Sequence, residues 1–521
     1  MLEFLHNLSL PVRVVLGLVI MLYSYDFLNR TWYSYRARRH GCSSSWIVQL
    51  PDIIPVGIAY SIMALITYRR GAALDYVLSL VHYSRRTTSL TYISGKWGVF
   101  TCHPEVIKAV LATSFKDYSL GDRYPIFFPL LGNGIFTLSG EGWKHSRALL
   151  RPQFSRDQIS HLESILEHAD LLVSRLVTET KAGRTPDAQS MFFSLTLDTA
   201  SEFLFGTSTH TLRDAAIKRK GPTREVSGPE FGKAFSEAQT MLGIRFIAGR
   251  LHKLVDSPSF RTNIDICKNF VDSFVNEALS APMEKDQVAE KYVFINELTK
   301  ETQDPVVIRD QAFNILLAGR DTTAATMSFM ACYLSYNKHV WLKLRREVLQ
   351  HFGTDRSAIS FEQLKQCKYL NNVINETLRL NPIVPVNLRY AIRDTILPCG
   401  GGPNEDGKIF VPKGSPIFYS VYAMHRNEKF WGKDCLEFKP ERWDEPSSTH
   451  QWSFLPFNGG PRICLGQQFA LTEMALVWVR ICQQIENFEV LNEGNPVYMK
   501  QGLTVTSSVA GGVPSKWYAA A

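Results

Sequence analysis

Hydrophobic and polar positions set an apolar N-terminal segment apart from the rest of the chain. The segment covers residues 8–28, and its uncharged run, 14–25, is short for a membrane span. Arg13 lengthens the segment, because a long guanidinium side chain reaches the membrane surface while its stem stays in lipid. Arginines within 30–39 form a positive flank, which places the following residues in the cytosol. No small-residue cleavage pattern follows, so a membrane anchor is favoured over a cleaved signal peptide.

A second apolar stretch covers residues 53–68 and ends at Arg69 and Arg70. A proline and a glycine interrupt it, so it predicts either a second span or, preferably, a helix lying at the membrane surface. Residues 207–228 mix charge, glycine and proline, which predicts a solvated loop between helices.

The remaining body follows a mainly helical pattern, with strand-like pieces at 89–101, 390–418 and 503–509. No linker or internal repeat interrupts it. The pattern therefore predicts a mainly α fold with small β-sheets. Residues 1–50 are expected to form the anchor and its basic flank, and residues 51–521 one large domain.

The longest predicted helix begins at Asp304, a capping residue followed by Pro305 at the first helical position. Apolar sequence continues to about residue 336, which gives a helix roughly 45 Å long. In its middle, residues 318–323 (Ala-Gly-Arg-Asp-Thr-Thr) place a glycine and polar side chains among apolar neighbours. Such a breach of local preferences is typical of a functional site.

Composition narrows the classes of function. The 521 residues are 45% hydrophobic and 20% charged, and the formal net charge is +8, so a modest basic excess suits a membrane surface or an acidic protein partner. No concentrated basic tract interleaved with aromatic residues indicates nucleic-acid binding. The nine cysteines are odd in number, widely spaced and without a Cys-x-x-Cys pair, which indicates a reducing compartment rather than a disulfide framework.

The most specific motif covers residues 457–466, Phe-Asn-Gly-Gly-Pro-Arg-Ile-Cys-Leu-Gly. It presents Cys464 alone, whereas zinc and iron–sulfur sites need several Cys or His ligands. A lone thiolate suits an axial position on a haem iron, and glycines such as Gly460 let the backbone approach a porphyrin closely. The helical pattern that follows favours the thiolate anion, and Arg462 suits a haem propionate. A buried structural cysteine in a turn is the alternative interpretation.

With Phe457, Gly460, Arg462 and Cys464 all in place, this stretch resembles the haem-binding loop of the cytochromes P-450. The resemblance implies the cytochrome P-450 fold and haem b (iron protoporphyrin IX) as cofactor. It also implies Cys464 as the axial iron ligand and O2 as co-substrate of a monooxygenase.

Residues 318–323 resemble the central-helix motif of the same family. The resemblance implies that Ala318 and the glycine after it leave room for O2. It assigns to Thr322 a role in oxygen activation and to Asp321 a role in relaying protons.

Two further matches concern the thiolate side of the haem. Glu376 and Arg379 lie three apart on a helical stretch, and Arg442 follows in a Pro-x-Arg context. Together they resemble the family's buried Glu-x-x-Arg and Pro-x-Arg brace, although an isolated pair of this kind is usually a surface ion pair.

Three other residues match propionate-binding positions of the family. Trp143 and Arg147 lie four apart and share a helix face, and Arg389 follows a proline-containing loop. Outside this constellation, packing and salt-bridge roles would explain them equally well.

Finer features indicate the subgroup. Segments 130–138, 142–147, 150–154, 397–402 and 466–471 look like those of fungal cytochromes P-450 that hydroxylate n-alkanes and fatty acids at chain ends. By family analogy, the candidates for substrate-lining positions are Phe313, Leu316, Ala318, Val384 and Leu503. Apolar residues there are also what an ordinary core contains.

The resemblance implies partners and location as well. No glycine-rich dinucleotide fingerprint follows a predicted strand, so electrons come from a separate, membrane-bound NADPH-dependent flavoprotein reductase. The expected location is the endoplasmic reticulum membrane of a fungus, with a single N-terminal anchor and a cytosolic catalytic domain.

Three alternatives stay open at this point. Enzymes of the subgroup also serve secondary metabolism, so the substrate is alternatively a terpenoid or polyketide intermediate. A haem-thiolate isomerase or dehydratase would share the cysteine loop but need neither O2 nor a reductase, and the Asp321–Thr322 pair argues against it. A haem carrier or sensor is the third class.

Overall fold

The computed structural model describes residues 9–43, 58–93, 96–154, 162–213, 226–280, 293–445 and 451–520. The chain forms two compact units. Unit 1 comprises Met1–Ser119, Val386–Met424 and Gly459–Arg462, and unit 2 comprises Leu120–Pro385, His425–Asn458 and Ile463–Ala521. Helices dominate and the sheets are small, as the sequence pattern predicts.

The α-helices of the described residues, in chain order, are α1 (Leu10–Arg39), α2 (Ile58–Arg69), α3 (Ala73–Ser84), α4 (Pro104–Lys108), α5 (Arg123–Leu131), α6 (Gly140–Leu150), α7 (Glu163–Lys181), α8 (Ala188–Phe205), α9 (Gly228–Ala248), α10 (Pro258–Ser280), α11 (Phe294–Glu301), α12 (Pro305–Tyr336), α13 (Lys338–Phe352), α14 (Phe361–Gln366), α15 (Lys368–Leu380), α16 (Val421–His425), α17 (Glu428–Trp431) and α18 (Gln467–Gln484).

The strands of the described residues are β1 (Thr88–Ile93), β2 (Lys96–Thr101), β3 (Tyr118–Ser119), β4 (Val386–Ala391), β5 (Thr395–Gly401), β6 (Gly407–Val411), β7 (Pro416–Ser420), β8 (Ile485–Val490), β9 (Gln501–Leu503), β10 (Ser507–Val509) and β11 (Ser515–Ala519). The three predicted strand regions become the β1–β2 hairpin, the group β4–β7 and the β9–β10 pair.

Unit 1 is built on a five-stranded sheet with the order β1-β2-β7-β4-β3. Its pairs are antiparallel except β2 with β7, where Val99 lies beside Ile417. Both side chains are buried in an apolar cluster that also receives Val106 and Val110. The sheet therefore supplies this unit with a core of its own.

Helix α1 also belongs to unit 1. Its C-terminal part is anchored there, because the buried Tyr33 hydroxyl donates a 2.7 Å hydrogen bond to the carbonyl of Phe410 in β6. The N-terminal half of α1 exposes apolar side chains. Among the helices of the described residues, α1 is the one that is long and apolar enough to cross a membrane.

The second apolar stretch falls partly outside the description, since residues 53–57 are not among the described ones. From Ile58 onward it forms α2, a helix of 12 residues. At 1.5 Å per residue α2 is about 18 Å long, which is shorter than the roughly 30 Å of a bilayer core. Of the predicted loop at 207–228, residues 214–225 also lie outside the described ones.

Unit 2 is arranged around α12, which has 32 residues and the predicted boundaries. The Asp304 carboxylate caps it by accepting a 2.8 Å hydrogen bond from the N–H of Val306. One apolar cluster surrounds its C-terminal half together with α7, α15 and α18. Another joins its N-terminal half to α5, α9 and α10. The middle of α12 thus lies between the two cores of this unit.

Candidate active site

Cys464 lies in unit 2, just before helix α18. The N–H of Cys464 donates a 3.0 Å hydrogen bond to the carbonyl of Phe457, which closes the loop on itself. The other eight cysteines are buried or half-buried, whereas Cys464 is exposed. Burial nevertheless raises the pKa of this thiol, while the N–H of Gly466 and the guanidinium of Arg147 lower it. The sulfur is therefore surrounded by many protein atoms but still has a surface that a ligand can reach, as a cysteine that binds iron at the base of a recess requires.

Helix α6 brings Trp143 and Arg147 to this loop. The Arg147 guanidinium carbon lies 5.9 Å from the centre of the Trp143 ring, and Nη1 donates a 3.0 Å hydrogen bond to the carbonyl of Ile463. No carboxylate of the described residues forms a salt bridge with Arg147. Burial and the nearby Arg151 cation lower the pKa of Arg147. In the part of the chain that the structure describes, this half-buried cation beside the cysteine therefore has no carboxylate partner.

Three of the predicted haem contacts lie in unit 1. Gly460 has φ +66°, and a Cβ there would overlap the carbonyl oxygen of Leu111, so no other residue fits. Arg389 is buried, donates from Nη1 to the Leu388 carbonyl at 2.8 Å, and leaves Nε without a hydrogen-bond partner among the described residues. Arg462 is half-buried in a short 3₁₀ turn.

Helix α12 opens a narrow stripe in an otherwise buried surface. From 310 to 334, the residues that keep partial exposure are Ala318, Gly319 and Thr322, which lie on neighbouring positions of one face. A Cβ on Gly319 would meet the Ala200 methyl group at 3.8 Å, and nothing closer, so the glycine leaves space there. The Thr322 hydroxyl donates a 2.6 Å hydrogen bond to the carbonyl of Ala318.

Asp321 faces a different side of α12. Its carboxylate lies 3.4 Å from Arg320 Nη1 and interacts with the side chain of Gln239 on α9. Burial raises the pKa of Asp321, and these two neighbours lower it. The structure therefore does not bring the Asp321 carboxylate onto the stripe of Ala318 and Thr322.

Sequence reasoning missed Glu473, which is fully buried on α18. The Thr199 hydroxyl donates a 2.5 Å hydrogen bond to its Oε1, and burial raises the pKa of Glu473 to about 7. The hydroxyl of Thr323, next to Thr322, contributes in the opposite direction by lowering that pKa. The available signal was that Glu473 is the lone acidic residue of a largely apolar helix.

The structure brings Glu376, Arg379 and Arg442 of unit 2 together. The first two have no exposed side-chain surface, and Arg379 Nε and Nη2 each donate a 2.8 Å hydrogen bond to the Glu376 carboxylate. Arg442 Nε reaches the same carboxylate at 3.5 Å. The pair is thus a buried, two-pronged ion pair and not a surface one.

The five candidate lining residues divide into two groups. Ala318, Val384 and Leu503 keep accessible surface, with Val384 38% exposed. Phe313 and Leu316 are fully buried in the apolar cluster of α12, so the structure does not support a lining role for them. Helix geometry explains the difference, because these two positions lie about 140–160° around the axis from Ala318.

These residues fit a haem group on chemical grounds. Unit 2 offers an accessible thiol with an N–H donor to its sulfur. Among the described residues, no carboxylate forms a salt bridge with Arg147 of unit 2 or with Arg389 of unit 1, and Arg389 Nε has no hydrogen-bond partner. Within the described ranges, no group of three or more His, Cys, Asp or Glu side chains forms a multidentate metal site. A single sulfur ligand and cations for propionates are the donor set that a haem needs.

Comparison with known proteins agrees with this chemistry. The family described as Cytochrome P450 matches residues 62–509. The chain is 51% identical over 496 residues to Cytochrome P450 52-E3 of Starmerella bombicola, an alignment that covers 93% of this chain and 94% of the relative. It is 50% identical to Cytochrome P450 52E1 of Candida apicola, covering 93% and 94% of the two chains. It is 43% identical to Cytochrome P450 52A10 of Candida maltosa, covering 91% and 93%.

The family match extends over most of the chain, and the relatives align over nearly their whole length. The exposed cysteine, the glycine-bearing stripe of α12 and the buried Glu376 brace lie within the matched range. The chain therefore belongs to the cytochrome P450 family of haem-dependent monooxygenases.

Proposed function

We propose that this monooxygenase hydroxylates long-chain alkanes or fatty acids at the chain end, with haem b as its cofactor. The observation that carries the proposal is that unit 2 contains both an accessible thiol, Cys464, and the open stripe of Ala318, Gly319 and Thr322. The resemblance to fungal lipid hydroxylases and the high identity to relatives numbered within group 52 support the substrate class.

We propose that Cys464 is the axial thiolate ligand and that Phe457 and Gly460 shape its loop. The haem propionates would be held by the remaining cofactor contacts, which are Trp143, Arg147, Arg389 and Arg462. When bound, the haem iron supplies reductive activation of O2, which the thiolate promotes by donating electron density. The N–H of Gly466 and the guanidinium of Arg147 would favour the anionic sulfur, since both oppose the burial that raises the pKa of this thiol.

In the same proposal, Thr322 holds a proton at Oγ1 next to the space left by Gly319. Its hydroxyl already bonds the helix carbonyl of Ala318, so it stays oriented along the stripe. Asp321 would act as a proton donor from the other side of α12, where its raised pKa favours the protonated form. Glu376, Arg379 and Arg442 would brace the thiolate side without touching substrate.

We further propose that residues 1–50 anchor the protein in the endoplasmic reticulum membrane and that residues 51–521 form the cytosolic catalytic domain. Helix α1 is apolar along its exposed N-terminal half and carries Arg36, Arg38 and Arg39 in its last turn. Electrons would come from an NADPH-dependent flavoprotein reductase in the same membrane.

The test is a product screen with the full chain, reductase, NADPH and O2. Alkanes and fatty acids are compared with terpenoid and polyketide intermediates, and products are identified by mass spectrometry. Terminal hydroxylation of the lipids that depends on reductase supports the proposal. Oxidation of the terpenoids or polyketides alone would favour the secondary-metabolic alternative, and turnover without reductase would indicate an isomerase or dehydratase. Cys464→Ser serves as the control that lacks the thiolate.

A further inference from the structure

Three buried side chains near the start of α12 bind one loop of unit 2. The loop covers residues 131–137, between α5 and α6, and we call it the 131–137 loop. The side chains are Asp310, Gln311 and Asn314, all of which are 4% exposed or less. The proposed function assigns no role to these three side chains. Burying their polar groups would be costly without hydrogen-bond partners, and the loop supplies such partners.

Asn314 binds the 131–137 loop in both directions. Its Nδ2 donates a 2.8 Å hydrogen bond to the carbonyl of Leu131, and its Oδ1 accepts a 3.1 Å bond from the N–H of Phe136. One amide therefore fixes both ends of the loop, which an apolar residue of the same size cannot do.

The neighbouring side chains hold the middle of the loop. Asp310 Oδ2 accepts a 2.7 Å hydrogen bond from the N–H of Asn133, and Gln311 Nε2 donates to the Asn133 carbonyl at 3.1 Å. Gln311 Nε2 also lies 3.2 Å from the Ser146 hydroxyl on α6, one residue before Arg147. The loop is thus tied to the helix that carries the proposed propionate contacts.

The sequence of the loop is adapted to this contact. A Cβ on Gly132 would overlap the Asp310 carboxylate, and a Cβ on Gly134 would overlap the Asn314 amide. Gly132 also has φ +57°, a conformation that favours glycine. The two glycines let the loop backbone lie directly on the side chains of α12.

The helix residue that binds both ends of the loop lies in line with the open stripe of α12. Asn314 precedes Ala318 by four residues, so it lies on the same face about 6 Å along the axis. Loop residues Ile135 and Phe136 are half-exposed and pack against the same apolar cluster as Leu465, the residue that follows Cys464. The position of these two side chains is therefore set by Asn314.

We propose that Asn314 is a positioning residue for regioselectivity, because it fixes Ile135 and Phe136 as the boundary against which the substrate chain stops. This inference rests on the proposed function only in requiring a lipophilic substrate with several oxidisable carbons. Loss of the Asn314 contacts would let the loop move, and the oxidised position would spread along the chain.

The test compares Asn314→Ala, Gly134→Ala and Phe136→Ala in the full-length, haem-loaded enzyme. Asn314→Ala removes the contact from the helix side, Gly134→Ala separates loop and helix from the loop side, and Phe136→Ala removes the positioned side chain alone. We expect the ratio of terminal to internal hydroxylation to fall on the order of 5- to 30-fold in each. Ser328→Ala is the control, because the Ser328 hydroxyl is buried on α12 but bonds the carbonyl of Ala324 in its own helix.

Hydrogen exchange supplies a readout that does not depend on turnover. The amides of Asn133 and Phe136 should exchange on the order of 5- to 30-fold faster in Asn314→Ala than in the wild type. An unchanged ratio of terminal to internal hydroxylation in Phe136→Ala overturns the proposal. An unchanged ratio in Asn314→Ala or Gly134→Ala, in whichever of these two retains haem, also overturns it. Absence of lipid products from the wild type would instead refute the proposed function, and the ratio would then be measured on the substrate that it does oxidise.

Discussion

The Glu376→Ala substitution offers the sharpest test of the buried brace. The Glu376 carboxylate accepts two hydrogen bonds from Arg379, one from the Lys439 N–H at 3.0 Å and one from Trp443 Nε1 at 3.1 Å. Arg379 also donates to backbone carbonyls, among them that of Cys435 at 2.7 Å. These carbonyls are neutral, so the substitution leaves the Arg379 charge buried without a counter-ion.

The expected loss of stability follows from that stranded charge. Removing one partner of a buried ion pair costs about 3–5 kcal/mol, because the remaining charge is neither hydrated nor paired. The Lys439 N–H and the Trp443 indole N–H also lose their acceptor, which places the cost toward the upper end of this range. Because α15 also packs against α18, the helix that follows Cys464, we expect Glu376→Ala to lose haem as well.

The measurement is a urea titration of the haem-loaded protein, followed by tryptophan fluorescence, with haem content read from the reduced CO spectrum. Glu297→Ala is the matched control, since Glu297 and Lys300 have the same three-residue spacing at 2.7 Å but are 36% and 64% exposed. That control should cost at most ~0.5 kcal/mol. A haem-replete Glu376→Ala protein within about 1 kcal/mol of the wild type would refute the reasoning.

Three further predictions concern the oxygen site, α18 and α1. Thr322→Ala should keep haem but consume NADPH with less product, because the hydroxyl bonded to Ala318 is lost; full coupling would remove Thr322 from proton delivery. The Glu473 carboxyl has its pKa raised from 4.5 to about 7, so ionising it destabilises the fold increasingly as pH rises through that interval. Glu473→Gln should therefore gain up to ~3 kcal/mol over the wild type above pH 7 and little below 4.5, and equal urea midpoints at both ends would contradict this. Deleting residues 1–28 should release the protein from membranes under carbonate extraction, whereas the full chain stays bound.

Local signals were sufficient to predict most of the elements and to suggest Cys464 as the iron ligand. The Asp304–Pro305 cap marks the start of α12 because both effects act within one turn of helix. The Cys464 loop is equally local, since its glycines, cysteine and following helix are contiguous in sequence. Strand regions were found by composition, but their order β1-β2-β7-β4-β3 depends on pairings between distant segments.

Contacts made across long sequence separations were not predictable. Arg379 donates hydrogen bonds to carbonyls 46–58 residues away. Glu473 accepts a hydrogen bond from Thr199, which lies 274 residues before it. The burial of Phe313 and Leu316 also depends on such distant contacts. Both are apolar residues on α12, and the sequence alone does not reveal which apolar positions of a mostly buried helix stay accessible.

The spacing of four residues on α12 relates the 131–137 loop to the open stripe. Asp310, Asn314, Ala318 and Thr322 follow one another at intervals of four, so they form a stripe that drifts about 40° per step and advances about 6 Å. The first two bind a loop, the third keeps space beside Gly319, and the fourth carries the hydroxyl. Because one helix sets all four distances, the proposed boundary for the substrate and the proposed site of oxygen activation would keep a fixed separation. The polar residues that disfavour a buried helix locally are thus the ones that give this helix its function.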